Sequence, residues 1–156
     1  MEHFELQDLS QILPHRGDSI LIDQIVEQRP DSILVSLIVG DSPWLCDAEG
    51  RVAPWVSMEY MAQAVAAFEG LMAAQAQQSQ RPGFLVSVSG LVLPADPFQS
   101  GDRLWVSAQR KLGRPGLRVV AHYASLHRDD PRAGGALLAE GRFSVAIAQA
   151  EVKTKA

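Results

Sequence analysis

Glu59 and Gln63 stand four residues apart in a run of alanine, methionine and valine, where neither is explained by a hydrophobic core. On a helix this spacing puts both on one face, about 6 Å apart and one turn above the other. A carboxyl group there can serve as a general acid. Burial raises its pKa and keeps a proton available near neutral pH, while the positive end of the helix dipole opposes that shift. The competing reading is a first-turn glutamate that points at water and is stabilised by the dipole.

Upstream, Cys46, Asp47 and Glu49 are further polar candidates. Cys46 has no histidine beside it in the sequence, so an inert thiol is the better reading than a nucleophile. The histidines are His3, His15, His122 and His127. His15 lies between Leu13-Pro14 and Arg16-Gly17, a turn pattern in which a histidine holds a loop by hydrogen bonds, with a catalytic base as the alternative. His122 and His127 are an odd number of residues apart in one strand-like run, so they face opposite sides and cannot pair on a metal. The sequence therefore implies neither a metal nor a cofactor.

The elements that must position these groups follow from pattern. Ser19 to Glu27 and Ser32 to Val39 are apolar, β-branched runs separated by Gln28-Arg29-Pro30-Asp31, which predicts an antiparallel pair. Residues 40 to 53, with Pro43, Asp47 and Gly50, predict an irregular loop of the kind that carries function. Pro54 to Gln80 is rich in Ala, Met, Leu and Gln and begins with Pro at a position suited to a first turn, which predicts one long helix ending before Arg81-Pro82-Gly83. Its apolar residues cover most of its circumference, as in a buried helix. Four further strands are expected at Phe84–Leu93, Arg103–Leu112, Leu117–Leu126 and Ala136–Ala148, arranged as a meander. Two strands, a helix and four strands predict an α+β hot-dog fold, an antiparallel sheet of five to six strands wrapped around one long central helix. The single domain spans residues 1–156, with 1–8 and 150–156 as loose ends.

The bulk properties narrow the function. A chain of 156 residues with 47% hydrophobic content has the size and composition of one domain with a real core. Its apolar stretches are interrupted well before the roughly 18 residues a membrane span needs, and the acidic start Met1-Glu2-His3-Phe4-Glu5 is unlike a secretory signal. One cysteine excludes an internal disulfide and fits a reducing compartment, so the expected location is the cytoplasm. A net charge of −4 with no basic run argues against nucleic acid. Arg103, Arg110, Lys111, Arg114 and Arg118 are either solvated strand edges or a patch for an acidic protein partner. A single helix in the concave face of a sheet leaves little room for a pocket in one chain, so a dimer with ligand at its seam is expected.

Three segments together resemble a known family: Leu13-Pro14-His15-Arg16 before Ile20-Leu21-Ile22-Asp23, Glu59-Tyr60-Met61-Ala62-Gln63-Ala64, and Gly83-Phe84-Leu85-Val86. They are similar to the 3-hydroxyacyl-ACP dehydratases of fatty-acid synthesis over residues 9 to 148. Within these, Pro54 to Gln63 most resembles the divergent dehydratase subunit of aryl-polyene pigment synthesis. The resemblance implies Glu59 as catalytic acid, Gln63 beside it, amides near Trp55 and Val56 on the thioester oxygen, and Tyr60 among the substrate-binding residues. The family's catalytic histidine lies in a Gly-His-Phe-Pro loop, and here the corresponding stretch is Trp44-Leu45-Cys46-Asp47-Ala48-Glu49, with Cys46 at the histidine position. A neutral thiol is a poor base, so the resemblance implies an acyl-carrier-protein or CoA thioester as substrate, a homodimer or heterodimer as assembly, and a base supplied by a related hot-dog partner, since a homodimer of this chain lacks half the chemistry. Two rival readings stand beside it, an acyl thioesterase and a non-catalytic acyl-binding subunit of a dehydratase.

Overall fold

The computed structural model describes residues 9–77, 83–111 and 119–147. In chain order the elements are α1 (Leu9–Ile12), a 3-10 turn (Gly17–Ser19), β1 (Gln24–Arg29), β2 (Ser32–Ile38), β3 (Arg51–Val52), α2 (Val56–Gln75), β4 (Gly83–Val92), β5 (Phe98–Gln99), β6 (Arg103–Arg110), β7 (Val119–His127), a 3-10 turn (Pro131–Ala133) and β8 (Leu137–Ile147). Six strands form one antiparallel sheet in the order β1-β2-β6-β7-β8-β4, with the short pair β3-β5 apart from it. Helix α2 lies across the concave face, as the element pattern predicts.

Alternation decides which side chains reach that face. Leu104, Val106 and Ala108 of β6, His122, Ala124 and Leu126 of β7, and Ala139 and Phe143 of β8 are buried against Val56, Tyr60, Met61, Ala64, Val65, Ala67, Phe68 and Leu71 of α2. The helix is not covered all round. Glu59, Ala62, Ala66, Glu69 and Ala73 form a stripe that stays partly exposed, opposite the β4–β8 edge of the sheet.

Several expectations need correction. The first strand begins at Gln24 rather than Ser19. Gly17 takes a positive φ of 56°, Ser19 Oγ donates to the Arg16 carbonyl, and these close a turn before the chain can extend. The helix starts at Val56, because the Pro54 carbonyl accepts the Ser57 N–H and hydroxyl in a preceding turn, and it ends at Gln75. The last four long strands are not a simple meander. Only β6, β7 and β8 are sequential neighbours; β4 pairs with β8 at the far edge, while β6 returns to β2. Leu112, Leu117, Arg118 and Ala148 of the expected strands, and both expected loose ends, lie outside the described residues.

Gly70 fixes how α1 meets α2. A Cβ at Gly70 would land on the Ile12 carbonyl, so the absence of a side chain lets α1 lie directly on the helix. This contact delivers the following turn, with His15, to the open side of α2.

Candidate active site at an open groove

A groove of about 490 Å³ runs along the partly exposed stripe of α2. Its walls are mostly apolar, from Ala62, Val65, Ala66 and Met72 of the helix and Leu85, Phe143, Val145 and Ile147 of the sheet. Polar side chains occur at two places along it, near Glu59 and near Glu69.

At the first place the Glu59 carboxyl lies 3.4 Å from His15 Nε2, and Gln63 Nε2 donates to Glu59 Oε1 at 3.0 Å. Glu59 keeps 42% of its side-chain surface exposed and His15 28%, so both are open to a ligand. Gln63 is fully buried. Its amide also donates to the Ser19 carbonyl at 2.7 Å and accepts the Leu21 N–H at 2.8 Å, which explains a polar residue inside an apolar helix. The turn carrying His15 is held in turn by Arg16, whose Nη1 donates to the carbonyls of Leu13 at 2.6 Å and His15 at 2.7 Å. His15 Nδ1 is buried and has no hydrogen-bond partner among the described residues, so the ring presents Nε2 to the carboxyl.

At the second place Glu69 accepts Arg110 Nη2 at 2.5 Å, Arg110 Nε at 3.0 Å and the His122 ring at 2.7 Å. Arg110 and His122 are direct cross-strand partners of β6 and β7, so together they form a clamp beneath the helix. Burial alone would raise the Glu69 pKa, but the hydrogen bonds and charges of His122 and Arg110 outweigh it and hold the carboxyl below its ordinary value.

Sequence reasoning missed this cluster. The available signal was parity: Arg110 shares the inward phase of Leu104, Val106 and Ala108, and His122 that of Ala124 and Leu126. Arg110 therefore does not join a basic surface patch. Arg103 lies over Trp105 and Lys111 over Tyr123, while Arg114 and Arg118 fall outside the described residues.

The other sequence candidates are elsewhere. Trp55 stands just before the helix and is 61% exposed, off the groove. Val56 and Tyr60 are buried in the core, Tyr60 edge-on to Phe98, and burial, with the nearby Asp23 charge, pushes the Tyr60 hydroxyl up to about 12. Cys46 is half-buried, bridges to Val52 and packs on the core away from Glu59. Asp47 and Glu49 are used by their own loop: Asp47 accepts the Arg51 and Glu49 backbone N–H groups and pairs with the Arg51 side chain, which also reaches Glu49. These bonds, the Arg51 N–H foremost, hold Asp47 below the usual carboxylate range. His122 faces inward and His127, on the other face, contacts Ser125 and the Gly135 carbonyl.

Among the described residues no group of three or more His, Cys, Asp or Glu is placed to hold a metal ion, and no helix is long and apolar enough to cross a membrane. Among the described residues the outer strand β4 pairs with β8 alone, and it exposes Phe84, Leu85, Val86, Leu91 and Val92.

Solved structures share this fold. The dehydratase heterocomplex ApeI:P from Xenorhabdus doucetiae superposes with a TM-score of 0.77 at 16% identity, over 90% of this chain and 91% of that one. A hypothetical thioesterase from Streptococcus pneumoniae, solved with coenzyme A, gives 0.56 at 12% identity over 80% and 84%. The PaaI protein of the Escherichia coli phenylacetic acid degradation operon gives 0.56 at 14% identity over 80% and 82%. No curated protein sequence matches the chain. The sequence profile of the ApeP-like family, described as ApeP dehydratase, matches residues 7–155, which is nearly the whole chain. The protein belongs to the ApeP-like dehydratase family and has a hot-dog fold.

Proposed function

We propose that this protein works on 3-hydroxyacyl thioesters as one subunit of a hot-dog dehydratase, with Glu59 as general acid. The observation that carries the reading is the Glu59 carboxyl, held by a buried Gln63 and open to an apolar groove that fits an acyl chain. In the reaction an imidazole removes the proton alpha to the thioester carbonyl and Glu59 protonates the departing 3-hydroxyl; the C–O bond breaks, water leaves and the α,β double bond forms. The base comes from a second hot-dog subunit. Cys46 stands where the dehydratase pattern has histidine, and the apolar edge of β4, unpaired among the described residues, offers the seam for that subunit.

A second reading is favoured by one contact. His15 Nε2, 3.4 Å from Glu59, is an imidazole already at the site, and as base it would make the chain self-sufficient. The test is a dehydration assay with 3-hydroxyacyl thioesters on acyl carrier protein and on CoA, using the chain alone and the chain with a hot-dog partner. Activity only in the mixed complex supports the split site, and activity of the lone chain that His15→Asn abolishes supports His15 as base. Hydrolysis of the thioester in place of dehydration would replace both readings with a thioesterase. Full activity of the complex after Glu59→Gln would leave the chain a non-catalytic subunit.

A further inference from the structure

The groove has a polar group where an acyl chain would end. Glu59 and Glu69 are ten positions apart on α2, which at 1.5 Å per residue separates them by about 15 Å. Ala62, Val65 and Ala66 line the interval. An extended chain advances roughly 1.2 Å per bond, from 3.6 Å per three-bond residue, so about a dozen bonds span the distance. A terminal methyl group arriving there would lie against an ion pair and strip water from it with nothing in return.

The Glu69–Arg110–His122 cluster specifies which polar group suits it. Both oxygens of Glu69 are engaged, by Arg110 and by His122, so the carboxylate has little acceptor capacity to offer. Arg110 spends Nε and Nη2 on Glu69, stacks over the Phe68 ring at 5.3 Å and lines the groove, and its Nη1 has no acceptor among the described residues. Its remaining N–H groups can only donate, so the partner that suits them is an acceptor oxygen at the far end of the chain.

We propose that Arg110, held by Glu69, is a specificity-determining residue that selects acyl chains whose far end bears an acceptor oxygen, such as a hydroxyl or carbonyl, over chains ending in methyl. This rests on the acyl-thioester reading of the groove. His122 is the positioning residue that fixes Glu69 from below and does not line the groove.

The test compares N-acetylcysteamine thioesters of 3-hydroxydodecanoate and 3,12-dihydroxydodecanoate, titrated calorimetrically into the full-length protein purified with any hot-dog subunit it carries. The wild type is expected to bind the 12-hydroxy probe about tenfold more tightly, the worth of one hydrogen bond. Arg110→Met with Glu69→Met removes the guanidinium and its carboxylate together, so neither is left as the other's orphan, and should erase or invert the preference while the melting transition is retained. Should that pair fail to fold, Arg110→Gln alone, with Glu69 still held by His122, is expected to reduce the ratio to threefold or less. Equal binding of the two probes by the wild type, or a preference that survives in the folded variant, would overturn the proposal and leave the thioester reading standing. Binding of neither probe would overturn both.

Discussion

Gln63 donates to Glu59 from a fully buried position, and the same amide is bonded to both Ser19 and Leu21. The orientation of the candidate acid is thus tied to the loop that carries His15. Replacing Gln63 with leucine leaves the Ser19 carbonyl and the Leu21 N–H without that partner. The expected cost is about 1–3 kcal/mol, a fall in melting temperature of roughly 2–12 °C for a chain of this size, measurable by differential scanning calorimetry.

Glu59→Gln preserves the contact with Gln63 in shape but removes the transferable proton. Dehydration by the active complex should fall by about 10²- to 10⁴-fold, with the melting temperature little changed. Single-turnover kinetics on a 3-hydroxyacyl thioester checks this, and an unchanged rate would remove Glu59 from the chemistry.

Glu69 makes stability depend on pH. Its folded pKa lies below the ordinary value of 4.5 because His122 and Arg110 outweigh the effect of burial. A group whose pKa is depressed on folding contributes stability that is fully present above its unfolded value and is lost as the pH falls through its folded value. The wild type should therefore lose stability on acidification below about 4.5, and Glu69→Gln should flatten that part of the profile. Urea unfolding at a series of pH values from 3 to 7 would show it; parallel profiles for the two proteins would count against the clamp.

Gly70→Ala places a methyl group on the Ile12 carbonyl, and α1 must lift from α2. Overpacking of this kind costs about 1–3 kcal/mol, and it displaces the turn that brings His15 to Glu59. Chemical-shift changes at His15 in the variant, with α2 unperturbed, are the expected signature.

Val86→Lys puts a charge on the exposed edge strand β4, where an apolar seam is proposed. Assembly with a hot-dog partner, or with a second copy, should be lost while the monomer still folds. Sedimentation velocity separates these states, and an unchanged assembly would place the seam elsewhere.

The sequence by itself determined the element types and the candidate acid. Strand alternation and the Ala- and Met-rich run specify an antiparallel sheet and one helix locally, and a four-residue spacing puts Glu59 and Gln63 on one face whatever surrounds them. Strand neighbours were another matter. That β4 leaves β6 and pairs with β8 depends on which edges remain free after β6 has joined β2, a non-local choice that no single segment encodes. The same holds for the groups near Glu59 and Glu69. His15 meets the helix because Gly70 admits α1 against it, and Arg110 and His122 meet Glu69 because registers in two strands place them side by side beneath one helical turn. Periodicity fixes the face a side chain takes, and only the packed tertiary structure decides what lies opposite it.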